Sequence, residues 1–309
     1  MIRITQAGLF NNVTQKMNQT QVALAKTQEQ ISTGKRVLKP SDDPTTATAV
    51  MNLNTKMAQN ERYGSNLDRA NSLLSAQDST LTSVTGALDR IKALLLRAAN
   101  DTYNDQDRLA VAVEIESVTE YLRQTANTQS SDGSYIFSGY VQGQEPFQQG
   151  SDGKVSYFGS TDVQKVEIAE QSMMAVGLPG SDVFGTQVLP PDSDGNARSG
   201  DLFGQLANTI TALKNNDAET LRATLGDLNT FHDNITIQHA KVGARMNRID
   251  MQKEWNENLD GDYKIMKSQL EDLDYVEAVT RLKNQSVALQ AGQQSFAKIS
   301  QLSLFDYIR

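Results

Sequence analysis

Residues 67–98, LDRANSLLSAQDSTLTSVTGALDRIKALLLRA, decide the fold. Leu67, Ala70, Leu74, Gln77, Leu81, Val84, Leu88, Ile91, Leu95 and Ala98 repeat at alternating steps of three and four. That is the a/d seam of a coiled coil held for more than four heptads, and it predicts one long helix with a single apolar stripe. Upstream, Val13, Met17, Thr20, Leu24, Thr27 and Ile31 step 4-3-4-3-4 and predict a second, more polar seam. Between the two lies Lys39-Pro40-Ser41-Asp42-Asp43-Pro44. Pro44 suits the first helical position, where its missing N–H has no intrahelical partner, and Asp43 or Ser41 is placed to cap the exposed amides. Paired carboxylates at Asp42 and Asp43 also suggest acid–base or cation chemistry, but their place before Pro44 favours capping.

Downstream, Asn100-Asp101-Thr102 stops the long helix, and a new one is predicted from Asp105 to about Thr128. The character of the chain then changes. Twelve of its 20 glycines lie between Gly133 and Gly204, and six of its 18 Phe and Tyr residues fall within Tyr135–Phe158. Tyr135–Tyr140, Lys154–Phe158 and Val163–Ile168 are predicted as short strands, with Asp152-Gly153 as a hairpin signal. Helix is predicted again over Asp201–Leu213 and Ala218–His239, and then from about Lys241 to the end. Leu282, Leu289 and Phe296 are seven apart in that last segment, and Ala278, Gln285, Gly292 and Ile299 form the alternate seam. The fold class is therefore mainly α with an inserted β domain. Terminal helices over 1–39 and 276–309 and a helical rod over 40–130 and 201–275 form a long antiparallel bundle, with a small β-rich outer domain inserted over 131–200.

Composition excludes several functions. The chain has 309 residues and no cysteine, so disulfide scaffolds, thiolate metal sites and cysteine nucleophiles are ruled out. With 29 basic against 37 acidic residues, a general nucleic-acid binder is disfavoured. The balance is uneven: residues 1–62 carry eight bases and four acids, and residues 132–200 three bases and nine acids. Ala93–Leu96 is far too short to cross a membrane, and the first 30 residues offer no signal-peptide h-region.

Candidate sites are few. His232 and His239 stand seven apart, not at the three- or four-residue spacing of helical metal ligands. Asp101, Asp105 and Asp107 begin like a calcium loop but lack its glycine and its final glutamate. No phosphate-binding loop, dinucleotide fingerprint or nucleophile elbow occurs, so no enzyme or cofactor is expected. Trp255 is read as packing between helices or anchoring an interface. Met173, Met174, Val176, Leu178 and Val183 are read as the core of the insert rather than a partner surface.

The termini point elsewhere. Seams weakened by Thr20, Thr27, Gln285 and Gly292 cannot bury enough apolar surface to offset an ordering cost of about 1–2 kcal/mol per residue. Both ends are therefore expected to be unfolded in the free chain and to order on assembly. The proposed assembly residues are Val13, Met17, Leu24, Ile31, Leu282, Leu289, Phe296, Ile299, Leu302, Leu304 and Phe305.

Gln30-Ile31-Ser32-Thr33-Gly34-Lys35-Arg36 followed by Pro40-Ser41-Asp42-Asp43-Pro44 resembles the head of the bacterial flagellin family. Val242–Ile249 resembles the motif that opens the family's long C-terminal helix. Gly133–Tyr140 and the ending Leu302–Arg309 are more similar to the hook-associated junction members than to filament subunits. The resemblance implies an extracellular structural protein, exported unfolded through the flagellar type III apparatus. It further implies self-association in a ring, hook-associated protein 1 and flagellin or another junction protein as neighbours, and an export chaperone on the C-terminal segment. Neither nucleic acid nor membrane is implied as a partner. A filament subunit or an intracellular coiled-coil scaffold is the alternative.

Overall fold

The computed structural model describes residues 6–100, 102–130, 133–151, 153–185 and 200–307, with side chains in the first and last helices given for 8, 10–33 and 275–298. Seven helices and four short strands follow in the order α1 (Gln6–Thr33), α2 (Pro44–Ala98), α3 (Asp105–Ala126), β1 (Phe147–Gln149), β2 (Val155–Tyr157), β3 (Lys165–Ala169), β4 (Ser172–Ala175), α4 (Gly180–Phe184), α5 (Leu202–Lys214), α6 (Ala218–Glu271) and α7 (Tyr275–Tyr307). Two compact units result, Met1–Gln59 with Asn258–Arg309, and Asn60–Glu257.

Most helix starts share one device. Asp43 accepts from the Thr46 N–H at 3.1 Å, Asn104 from Asp107 at 2.9 Å, Asp201 from Gly204 at 2.8 Å, Asp217 from Thr220 at 3.1 Å and Asp274 from Glu277 at 3.1 Å. Each is an N-cap side chain bonding the third helical amide, which has no intrahelical acceptor. At Asn104 the Asp107 carboxylate returns the bond, completing a capping box.

In the unit Asn60–Glu257, every position of the 67–98 seam is buried, from Leu67 to Ala98. The stripe meets α6 running the other way. Asn60 donates to the Asn256 carbonyl, Lys253 pairs with Asp68 at 2.6 Å, and His239 meets Asp78 at 2.7 Å. The α6 partner number falls as the α2 number rises, so the two helices are antiparallel. α3 and α5 complete the helical layer, joined at the surface by Lys214–Glu116 at 2.5 Å. Arg108 is buried in the turn between α2 and α3, where it donates to the Ala98 carbonyl at 3.0 Å and to Asn216.

The insert holds two separate antiparallel hairpins. Phe147 pairs with Tyr157 in one and Lys165 with Ala175 in the other. Gly153, at φ +79°, makes the first turn, a backbone that glycine adopts without penalty. Among the described residues the insert's core is shared with the helices. Phe184 stacks on Phe203 at 5.7 Å, Phe147 meets Phe184 edge-on at 5.0 Å and tilts against Phe203 at 5.4 Å, and Phe137 meets Phe184 edge-on at 5.5 Å; all four belong to the same buried cluster as Leu74 and Phe231. Tyr157 seals it. Its hydroxyl lies 2.9 Å from the Phe137 and Ser160 carbonyls and accepts from the Gly180 N–H, and burial pushes its pKa up.

Four expectations need correction. Tyr135–Tyr140 is a run of turns rather than a strand, with one isolated bridge from Tyr135 to Gln129. Adjacent Ile136 and Phe137 are both buried, which one face of a strand does not allow, and Gly139 turns at φ +64°. The third strand begins at Lys165, so Val163 precedes it. Helix α6 passes through His239–Lys241 without a stop, and the true break is Asp272–Asp274. Met174, Val176, Leu178 and Val183 are core, but Met173 points outward.

Candidate assembly interface

In the unit formed by the two ends of the chain, α1 pairs with α7. Phe10 meets Phe296 at 4.8 Å, and Arg281 donates to Gln30 Oε1 at 3.1 Å, so the start of α1 lies by the end of α7. The pair is antiparallel. Along α1 the covered positions include Val13, Met17, Thr20, Leu24, Thr27 and Ile31, joined by Thr14, Ala23 and Gln30; along α7 they include Ala278, Leu282, Gln285, Leu289, Gly292 and Phe296, joined by Arg281 and Ser286. The structure thus brings seven of the proposed residues onto one seam: Val13, Met17, Leu24, Ile31, Leu282, Leu289 and Phe296. The side chains of Ile299, Leu302, Leu304 and Phe305 lie outside the described residues.

Coverage along this seam is incomplete in an informative way. On α1 the buried residues are Thr27 and Gln30, both polar, whereas the four apolar seam residues are only half-buried. On α7 Ala278 is buried, and Gln285 Oε1 lies buried without a hydrogen-bond partner among the described residues. Two helices alone leave their large apolar side chains partly in water, so the pair gains little of the roughly 1.5–3 kcal/mol that full burial of each such side chain brings. The outer faces add more apolar surface: Val22 is 71% exposed, Val276 80% and Val279 52%. Sequence periodicity missed these three, because a seam search keeps one stripe and discards residues that stand apart from it.

At the other end of the pair, both helix breaks are stitched together. Gly34, at φ +71°, ends α1 and accepts from the Leu273 N–H at 2.9 Å, and Arg36 N–H donates to Glu271 at 2.7 Å. A Cβ on Gly34 would lie 3.0 Å from the Tyr275 hydroxyl. The Arg36 guanidinium spans the site, donating to the Leu270 carbonyl at 3.1 Å, to Thr46 Oγ1 at 3.3 Å and to Asp43 at 3.5 Å. Gln30 closes the loop by donating to the Arg36 carbonyl at 2.6 Å. Hydrogen bonds from Lys26 to Asp42, and from Thr46 to Asp43, hold both carboxyls below the usual carboxylate range. Their stabilising contribution is therefore full above the unfolded value, near 4, and is lost as pH falls through the lowered folded values.

Arg36→Ala is expected to destabilise this junction by about 1–2 kcal/mol, discounted for a half-exposed side chain. Arg36→Lys should not recover the loss, because an ammonium cannot span three acceptors as a planar fork does. Faster amide exchange at Leu273 in both variants is the measurement; exchange unchanged by Arg36→Ala would remove the guanidinium from the account.

The remaining candidates resolve simply. Asp43 caps α2 and Asp42 binds Lys26. His232 and His239 face Asp89 and Asp78 on α2, and no group of three or more metal-binding side chains occurs among the described residues. Trp255 does not pack between helices; it is 60% exposed. No described helix is long and apolar enough to cross a membrane.

Residues 4–142 match the bacterial flagellin N-terminal helical region, and residues 225–308 match the bacterial flagellin C-terminal helical region. Flagellar hook-associated protein 3 of Escherichia coli is 30% identical over 98% of this chain and 99% of its own length. The Salmonella typhimurium protein of the same name is 28% identical over the full length of both. Among solved structures, flagellar hook associated protein-3 of Legionella pneumophila superposes with a TM-score of 0.62 at 17% identity, covering 72% of this chain and 98% of that one.

Proposed function

Because this chain belongs to the flagellin family, in its flagellar hook-associated protein 3 group, we propose that it is a structural adaptor that joins the flagellar hook to the filament. It works without catalysis, by self-association in a ring at the distal end of the growing flagellum, outside the cell. The observation that carries the reading is the α1–α7 seam, with a polar inner layer and apolar residues left half-covered. Such a seam is completed by other copies, and the ordering cost of both ends is met when they arrive. The assembly residues are Val13, Met17, Leu24, Ile31, Leu282, Leu289 and Phe296 on the seam, together with Ile299, Leu302, Leu304 and Phe305.

Hook-associated protein 1 and flagellin, or another junction protein, are the neighbours on the two faces of the ring. Before assembly the chain passes unfolded through the type III export apparatus, with a chaperone on its C-terminal segment. The test is deletion of the gene in the source bacterium, viewed by electron microscopy, with the medium assayed for flagellin. Bare hooks and spilled flagellin are expected. Filaments of normal length on the deletion strain would overturn the junction reading, and hooks with intact junctions but no filament would make the chain a filament subunit.

A further inference from the structure

Helix α6 carries two apolar stripes, and the core uses only one. Leu228, Phe231, Ile235, Val242 and Ile249 are buried. On the opposite face Ile237, Ala240, Ala244, Arg248, Met251 and Trp255 step 3-4-4-3-4 and are all exposed, Met251 at 65%. Helix α3 repeats the arrangement. Val111, Ile115 and Leu122 face the core, while Leu109, Val113 and Tyr121 lie outside on a four-residue spacing completed by Ser117, Val113 at 64% exposure. This is not the habit of every outer face in the unit. The exposed stripe of α2 reads Asp68, Ser72, Ser75, Ser79, Thr82 and Gly86.

The two apolar stripes differ in charge. Residues 237–255 hold four bases (Lys241, Arg245, Arg248 and Lys253) against two acids, Asp250 and Glu254. Residues 105–121 hold five acids against one base, the buried Arg108. Lys241 flanks the α6 stripe and Arg248 stands within it, and neither makes an ion pair among the described residues. Glu114, Glu116 and Glu120 flank the α3 stripe and pair at the surface with Arg90, Lys214 and Arg123. Such exposed pairs contribute little and exchange partners at small cost.

We propose that the outer stripe of α6 docks on the outer stripe of α3 in a second copy of this chain. The inference rests on the self-assembling reading and assigns it a second contact, distinct from the α1–α7 seam. Both stripes are exposed in one chain and differ from each other, so the contact is head-to-tail, and head-to-tail contacts close into rings when the rotation between copies allows. At 1.5 Å per residue the stripes span about 27 and 18 Å. A contact of that length sits at the small end of specific interfaces and holds when repeated around a ring.

The natural absence of cysteine makes the test clean. The full chain carrying Val113→Cys and Met251→Cys is concentrated and treated with a short bis-maleimide. A ladder of dimers, trimers and higher species is expected. Adding Lys241→Glu and Arg248→Glu should cut the ladder at least tenfold. Mixing that chain with a double-cysteine partner bearing Glu116→Lys and Glu120→Lys should restore it. No ladder, a ladder indifferent to these charges, or linked dimers from Met251→Cys alone would overturn the contact. The seam reading is tested separately, since Leu24→Glu leaves both outer stripes untouched.

Discussion

Leu24→Glu is expected to abolish polymerisation outright while leaving the unit Asn60–Glu257 folded. Leu24 lies on the α1–α7 seam, half-covered by the single partner helix. In the proposed assembly neighbouring copies complete its burial, and a carboxylate there would lose its water without a cationic partner, at a cost of several kcal/mol for each subunit. Repetition around a closed assembly multiplies the cost, so the loss is expected to be complete. Phe296→Glu should behave alike, because the Phe10–Phe296 contact at 4.8 Å is the described aromatic contact at that end of the pair. Circular dichroism of the variant chains, followed by reconstitution on hooks, is the measurement. Normal assembly of either variant would show that the seam is not an interface.

Phe184→Ala should give the largest loss of stability in the helical unit, about 3–5 kcal/mol. The ring is fully buried and touches Phe137, Phe147 and Phe203, which come from a turn, a strand and a helix. Its removal opens a cavity that cannot collapse without moving all three. One buried cluster contains these rings and the α2 stripe, so strands and helices are expected to unfold in a single transition. Denaturant unfolding followed at both far-UV and near-UV wavelengths tests this. A shift below about 1 kcal/mol, or two separated transitions, would show that the insert has its own stability after all.

The long helices were legible because their chemistry is periodic. From Leu67 to Ala98 every seam position is buried, including Gln77, whose amide reaches the Ile136 carbonyl. The terminal seam was legible for the same reason, although its polar members obscured where apolar cover ends. Periodicity failed where a segment is shaped by what it packs against. Tyr135–Tyr140 has strand composition, yet its backbone folds into turns, and Gly139 at φ +64° packs so near the Ser160 carbonyl that a Cβ there would lie 2.5 Å from it. The break at Asp272–Asp274 carries neither glycine nor proline. Its available signal was Asp274 with Glu277 three residues on, a helix start hidden inside a longer helical pattern. The outer stripe of α6 was obscured because a search for one amphipathic face treats the second as noise.

The stitched turns around Arg36 and Leu270 carry a consequence for the order of events. These residues are 234 apart in the chain. Closing so long a loop in a wholly unfolded chain costs about 5 kcal/mol of entropy beyond a constant. Once the middle has folded, Asn60 and Asn256 are already bonded, and the flexible path between the turns shrinks to a few dozen residues. The remaining closure is cheaper by roughly 1.5 kcal/mol. The middle therefore closes first and the two ends last, an order that pulse-labelled amide exchange during refolding reads directly. A chain that folds in this order keeps its two ends apart until its middle has formed.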